Sequence, residues 1–291
     1  MRPPEWLFVG FFAYITLLSA IFPSRPNLHF QPPLYLVGSA GLFVLLSKME
    51  RGRLADAVAI FRDWLPIAFT FFAFREMELF VPAKYPLVFE SSWIKLDQLV
   101  LNSWGLRAAI EATGQVLPLY FEFCYLLVYG LAAYSIGWIA ASSIGKRIDH
   151  QMVDRFWTIY LTGTLTAYAL FPYFPSLPPR YAFQLVDPPT VVTWMRTLNL
   201  WLLEGATIHS GVFPSAHVSS AFSSAWALYF IFPKQRWLGH AMLIYAVSVS
   251  IATVYGRYHY VADVLAGFAV SLVALVVGFA MRSYVQKHQS A

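Results

Sequence analysis

The stretch Tyr255-Gly-Arg-Tyr-His-Tyr-Val-Ala-Asp-Val-Leu-Ala-Gly-Phe-Ala-Val-Ser-Leu-Val-Ala-Leu-Val-Val-Gly-Phe-Ala-Met281 joins two kinds of chemistry. From Val264 to Met281 it carries no charged residue. A helix needs about 20 mostly apolar residues to cross the hydrocarbon core of a bilayer, so 260–281 reads as a transmembrane helix. The first part places Arg257, His259 and Asp263 where that helix begins. Ionisable groups are costly at a membrane boundary and point to function when they gather there.

The remainder of the chain has the same character. Of 291 residues, 58% are hydrophobic and only 12% charged, with a mean hydropathy of +0.57, against about 25% charged in a soluble domain. Apolar runs near 5–22, 33–47, 58–80, 117–143, 153–173, 212–232, 238–255 and 260–281 predict an all-α, multi-pass membrane bundle of about eight helices. The first run could pass for a signal peptide, with Arg2 ahead of it and Leu18-Ser19-Ala20 as a weak cleavage site. It is long for a signal and Pro23 follows closely, so it reads as retained.

Between the third and fourth runs, residues 91–116 show apolar positions every three or four residues with tryptophans at the flanks. That pattern predicts one or two amphipathic helices lying in the interface. The chain therefore divides into additional transmembrane helices (1–90), the interfacial segment (91–116), a core (117–281) and a tail (282–291).

The formal charge of +5 is scattered through short loops, which argues against nucleic acid as a partner and for a topology signal. With eight spans, one membrane side receives Arg2, Lys48, Arg51, Arg53, Lys146, Arg147, Arg155, Lys234, Arg236, Arg282 and Lys287. The other receives Arg25, Lys84, Lys95, Arg107, Arg180, Arg196 and Arg257. The positive-inside rule then puts both termini in the cytoplasm. The lone cysteine, Cys124, lies in an apolar run and reads as a small hydrophobe.

Three loop-to-helix junctions fall on the extracytoplasmic side of this topology. They are Phe174-Pro-Ser-Leu-Pro-Pro-Arg-Tyr181, Phe213-Pro-Ser-Ala-His217 and Tyr255–Asp263. His259 and Asp263, four residues apart, share one helical face, where a carboxylate can fix the imidazole tautomer and leave Nε2 as a nucleophile. Ser215 and His217 open an apolar helix, whose first N–H groups favour an anion. Ser215 taken alone is equally a plain helix cap. Arg180 and Arg257 offer guanidinium forks suited to phosphate oxygens. These parts suit phosphoryl transfer, with no metal or cofactor called for.

At these residues the chain resembles the type 2 phosphatidic acid phosphatase superfamily of membrane lipid phosphatases and phosphotransferases. Pro214-Ser215-Ala216-His217 is similar to its Pro-Ser-Gly-His motif, and His259 to Asp263 to its His-x-x-x-Asp motif. Its Lys-x6-Arg-Pro motif is absent: Tyr173 stands seven residues before Arg180, and Tyr181 follows it. Ala252-Thr253 stands where a Ser-Arg pair is usual. A proline-rich first motif, Phe-Pro-Ser-x-His and His-Tyr-x-x-Asp look like the inositol phosphorylceramide synthase branch, as less specifically does Leu96-Asp97.

The resemblance implies a six-helix core and a lipid phosphate or phospholipid substrate. It implies His259 as nucleophile, Asp263 as its partner, His217 as proton carrier, and Arg180, Ser215 and Arg257 on the phosphate, with water or an alcohol as acceptor. A different class, a transporter or scaffold for phosphorylated lipid, would use the intramembrane charges Arg62, Asp63, Arg75, Glu76, Glu78 and Glu122. Mutual pairing between helices accounts for them as well. His209, in the loop before His217, reads as a headgroup-exposed residue.

Overall fold

The computed structural model describes residues 1–22, 29–80, 87–142, 149–206 and 211–289, with side chains given through 283 and not for residue 206. Arg25, Lys84, Lys146, Arg147 and His209 lie outside the described residues, as do the side chains of Lys287 and His288. The described residues are helical, with no strand among them.

The N-terminal part comprises α1 (Pro3–Ser19), α2 (Gln31–Met49) and α3 (Ala55–Glu76), the last extended by a 3-10 turn, Met77–Phe80. The expected interfacial segment forms α4 (Glu90–Gln98), a π-helical turn at Leu99–Ser103 and α5 (Leu106–Glu111). The predicted fourth run is two helices in line, α6 (Val116–Leu127) and α7 (Leu131–Ala141), joined by a 3-10 turn that ends at Gly130. Then come α8 (His150–Leu170), the short α9 (Pro179–Ala182), α10 (Trp194–Ala206), α11 (Ala216–Ile231), α12 (Trp237–Tyr255) and α13 (Val261–Gln289).

Five of the eight expected runs are long and apolar enough to cross a membrane: Gln31–Met49, Ala55–Phe80, Val116–Ala141, Trp237–Tyr255 and Val261–Ser283. Helices α1 and α11 have 17 and 16 residues, and α8, though 21 residues long, carries Thr158, Thr162, Thr164 and Thr166. The reason is position. Helix α11 packs against α8, α12 and α13 at the centre of the bundle, so protein surrounds it, and Ser219, Ser220 and Ser224 find partners on neighbouring helices. The Ser219 hydroxyl donates to the Gly163 carbonyl at 3.0 Å, and the hydroxyls of Thr164 and Ser220 lie 2.8 Å apart. Small residues at such a crossing let helix backbones approach, which is how helices associate where lipid is as apolar as leucine.

A buried ionic cluster fastens the first three helices to the core. Arg62 donates to Glu5 through Nε and Nη2 at 2.7 Å each and pairs with Glu50 through Nη1. Arg2 reaches Glu50 and Asp63 at 2.6 Å each, and His150 at the start of α8 meets Asp63 at 2.8 Å. Arg62 and Asp63 are thus mutually paired between helices. Tyr168 and Phe171, at the other end of α8, line a cavity with His217 and His259. Cluster and histidines thus lie toward opposite ends of this 21-residue helix.

Gly267 fixes the approach of α13 to the start of α11, because a Cβ there would fall on the Ser215 carbonyl oxygen. Gly267→Val is expected to force the two helices apart at a cost of about 1–3 kcal/mol. Because Asp263 lies one turn away, activity should fall with the detergent melting temperature. A variant with wild-type melting and wild-type turnover would show that this contact is slack.

Candidate active site

The junctions Phe213–His217 and Tyr255–Asp263 of the sequence reading become the starts of α11 and α13. Ser215 is the N-cap of α11, its hydroxyl accepting from the Val218 N–H at 3.4 Å. It is fully buried, and its own N–H donates to the Asp263 carbonyl at 2.9 Å, tying α11 to α13. The Phe213–Pro214 peptide bond is cis, and Phe213 stacks on Trp93 of α4 with centroids 4.9 Å apart. Through that contact the interfacial segment helps hold the loop that carries Ser215.

His217, His259 and Asp263 form a chain of contacts. The Asp263 carboxylate lies 3.2 Å from His259 Nδ1, and the same oxygen accepts from the Tyr260 N–H at 2.9 Å. His259 Nδ1 is also 3.1 Å from the Val212 carbonyl. Two acceptors around Nδ1 assign the proton to that nitrogen, so the Nε2 lone pair faces away. That Nε2 lies 3.2 Å from His217 Nδ1. Burial first, then the nearby His217 and Arg180, holds the His259 imidazole well below its ordinary pKa.

The arginines approach from different sides. Arg180 follows Pro178-Pro179 in α9 and its N–H donates to the Arg257 carbonyl at 3.2 Å. Its guanidinium lies over the rings of Tyr181 and Tyr258, at 4.7 and 5.8 Å from their centroids, and its buried Nε has no partner among the described residues. Arg257 is 2% exposed and adopts a positive φ of 62°, a conformation that costs a non-glycine residue about 1–2 kcal/mol. Its Nη1 donates to Asp97 at 2.6 Å, leaving Nε and Nη2 without partners among the described residues. A strained backbone that holds a buried, under-satisfied cation is a feature of binding sites.

Residues beyond the six expected at the site complete it. Asp97, fully buried, bridges Arg257 and the Val261 N–H, which donates to its other oxygen at 2.8 Å. Glu122 accepts from Arg196 at 2.8 Å, Asn199 at 2.8 Å and the Tyr258 hydroxyl at 2.6 Å. Tyr258 stacks on Tyr125 with centroids 3.8 Å apart, and Tyr125 lies 5.3 Å from the His217 ring. Glu122 is therefore a paired, interior carboxylate that supports the floor under His217. Of the other intramembrane charges, Arg75 meets Glu78 at 3.3 Å, and buried Glu76 leaves Oε2 without a partner among the described residues. Among the described residues, no three His, Cys, Asp or Glu side chains gather as a metal-ligand set.

Two cavities meet at Arg180. One, of about 180 Å³, is lined by His217, His259, tyrosines 125, 129, 160, 168 and 258, and an apolar stretch of α3. The other, of about 210 Å³, is more polar and is bounded by Arg180, Arg257, Arg196, Gln184 and Glu204.

Replacing Asp97 with alanine leaves Arg257 buried without its counter-ion, a change that costs about 3–5 kcal/mol in comparable buried pairs. The expected result is a lower melting temperature that inorganic phosphate raises by more than it raises the wild type. Equal phosphate shifts in the two proteins would remove Arg257 from the anion site.

A model of the PAP2 superfamily matches residues 94–277. A PA-phosphatase related-family protein of Dictyostelium discoideum is 27% identical over 180 residues, which is 56% of this chain and 32% of that protein. The chain thus spans about a third of that relative's length. No solved structure matches. The family match runs from α4 into α13 and takes in both histidines, Asp263, Arg180, Ser215, Arg257 and Asp97; on that extent the chain belongs to the PAP2 superfamily.

Proposed function

We propose that the protein transfers the phosphoryl group of a lipid phosphate ester through a covalent phosphohistidine. The observation that carries this reading is the Asp263–His259–His217 chain, 3.2 Å at each step, in one cavity with Arg180. His259 Nε2 attacks phosphorus and the bond to the leaving oxygen breaks. His217 gives that oxygen a proton, and Asp263 offsets the charge that develops on the His259 ring. In the second step water or an alcohol attacks phosphorus and gives its proton to His217, while the P–Nε2 bond breaks and returns neutral His259. Arg180, Arg257 and Ser215 with its helix start hold the non-bridging oxygens, where fixed dipoles and charges matter most. No step of this scheme calls on a metal. The basic-residue bias places the site on the extracytoplasmic side.

A second reading has its own support. The polar cavity beside Arg180, with Gln184 and Glu204 on its wall, suits a hydroxylated leaving group or acceptor, as in a transferase that moves a phospho-headgroup between lipid and alcohol. Incubating the purified protein with labelled phospholipid and candidate alcohols, such as a ceramide or a polyol, separates the readings. Free phosphate alone would sink the transferase; a labelled new ester would establish it. No turnover of any lipid phosphate would end both and leave the transporter or scaffold.

The pH profile tests the nucleophile. His259 must be neutral to attack, and a depressed pKa means that acid protonates it only below the ordinary histidine value of about 6.5. The acid limb of kcat/KM, which reports the free enzyme, is therefore expected below that value. A limb at or above it would contradict a buried, neutral His259.

A further inference from the structure

Helix α3 lies outside the matched family segment, yet it forms one wall of the catalytic cavity. Ile67, Thr70, Phe71 and Phe74 all line it. Their spacing of three, four and seven residues puts them on one helical stripe, about 10 Å long at 1.5 Å per residue. The residues between them have other duties. Phe69 and Ala73 are buried in the core, and Phe72 turns toward Tyr35 of α2, ring centroids 6.3 Å apart.

The stripe touches the core at both ends, where Ile67 and Phe74 pack against it, Phe74 meeting Tyr168 with ring centroids 5.6 Å apart. Phe71 is about half exposed. In a soluble protein such an apolar edge would be pressed shut against its neighbour by water. In hydrocarbon that force is missing, and an apolar seam beside the site can stay open for another hydrocarbon. Ala55–Phe80 is long and apolar enough to span a bilayer, so the seam runs at the depth of lipid tails. It is continuous with the space in front of His217 and His259.

We infer that this stripe of α3 receives the hydrocarbon chain of the substrate lipid and sets which chains the enzyme accepts. The inference rests on the lipid phosphate reading above and names the part of the protein that reads the lipid. The phosphate end stays with the arginines and histidines of the family segment. The chain end is read by a helix from outside it.

Two measurements test this. First, a lipid phosphate with a photoreactive group in its acyl chain, added to the full-length protein in vesicles, is expected to label α3 within Ile67–Phe74. Labelling confined to other helices would overturn the inference. Second, the ratio of kcat/KM for long-chain over short-chain phosphatidic acid is expected to shift in Phe71→Ala and Ile67→Trp. The expected change is about tenfold each way, the discrimination one methylene gives in an apolar pocket, with longer chains favoured by the first and disfavoured by the second. Because each variant is its own reference, a loss of folded protein does not imitate the shift. Phe72→Ala, off the stripe, should keep the wild-type ratio; unmoved ratios in the stripe variants, or an equal shift in Phe72→Ala, would refute the assignment. Label on α3 without turnover of any lipid phosphate would retire the phosphoryl-transfer reading and leave the chain site standing. Turnover with label elsewhere would do the reverse.

Discussion

His259→Ala is expected to lower phosphate release from a lipid phosphate by about 10⁴-fold or more, since losing a nucleophile removes the covalent route altogether. The expected companion result separates the two histidines. His217→Ala should retain much more activity on an aryl phosphate, whose leaving oxygen needs no proton, than on an alkyl ester. His259→Ala should be equally poor on both. Short incubation of the wild type with labelled substrate should trap phosphate on His259, stable to base and lost in acid. Near-normal turnover in His259→Ala would remove the phosphohistidine, and the transporter class would then have to be tested in its place.

The second large effect is expected at Asp263. One of its oxygens serves both the Tyr260 N–H and His259 Nδ1, and the other is buried without a partner among the described residues. Asparagine can place its carbonyl oxygen in the first position and keep both bonds, so the fold and the His259 tautomer should survive. What goes is the negative charge facing an imidazole that becomes positive as it is phosphorylated. Asp263→Asn is therefore expected to reduce kcat by about 10²–10⁴-fold, the range in which a positioned acid–base partner contributes, with little change in KM. A loss of less than tenfold would make Asp263 a structural cap for the start of α13 and nothing more.

The elements that could be read from sequence were those written in local chemistry. Apolar runs revealed the helices because each must bridge a hydrocarbon layer, and Ser215, His217, His259 and Asp263 stood out because polar groups are rare at such boundaries. The arginines were legible as cations, but not their settings. Arg257 meets Asp97, 160 residues earlier in the chain, and no periodicity encodes that distance. Glu122 was visible as an intramembrane charge, while its partners Arg196, Asn199 and Tyr258 lie on elements far along the chain.

The length of α11 was overestimated for a related reason. Apolarity alone does not tell a helix wrapped in lipid from one wrapped in other helices, and the buried serines of α11 belong to the second kind. The role of α3 was hidden by the same ambiguity. A membrane helix is apolar on every side, so sequence pattern does not say which side leans on protein and which borders a cavity.

One distance has a consequence of its own. The imidazoles of His217 and His259 bond each other at 3.2 Å, whereas a phosphoryl group in line between them needs about 3 Å on each side. Any ligand that reaches the nucleophile must first part that pair. A neutral hydrogen bond is worth about 0.5–1.5 kcal/mol and one to a charged group about 1.5–3. A neutral alcohol or a bare hydrocarbon gains little by the exchange, whereas an anion gains on the His217 N–H and on the arginines beside it. On the phosphoryl-transfer reading the pair of histidines is a clasp with a chemical key, closed to apolar groups and opened by the charge of a phosphate.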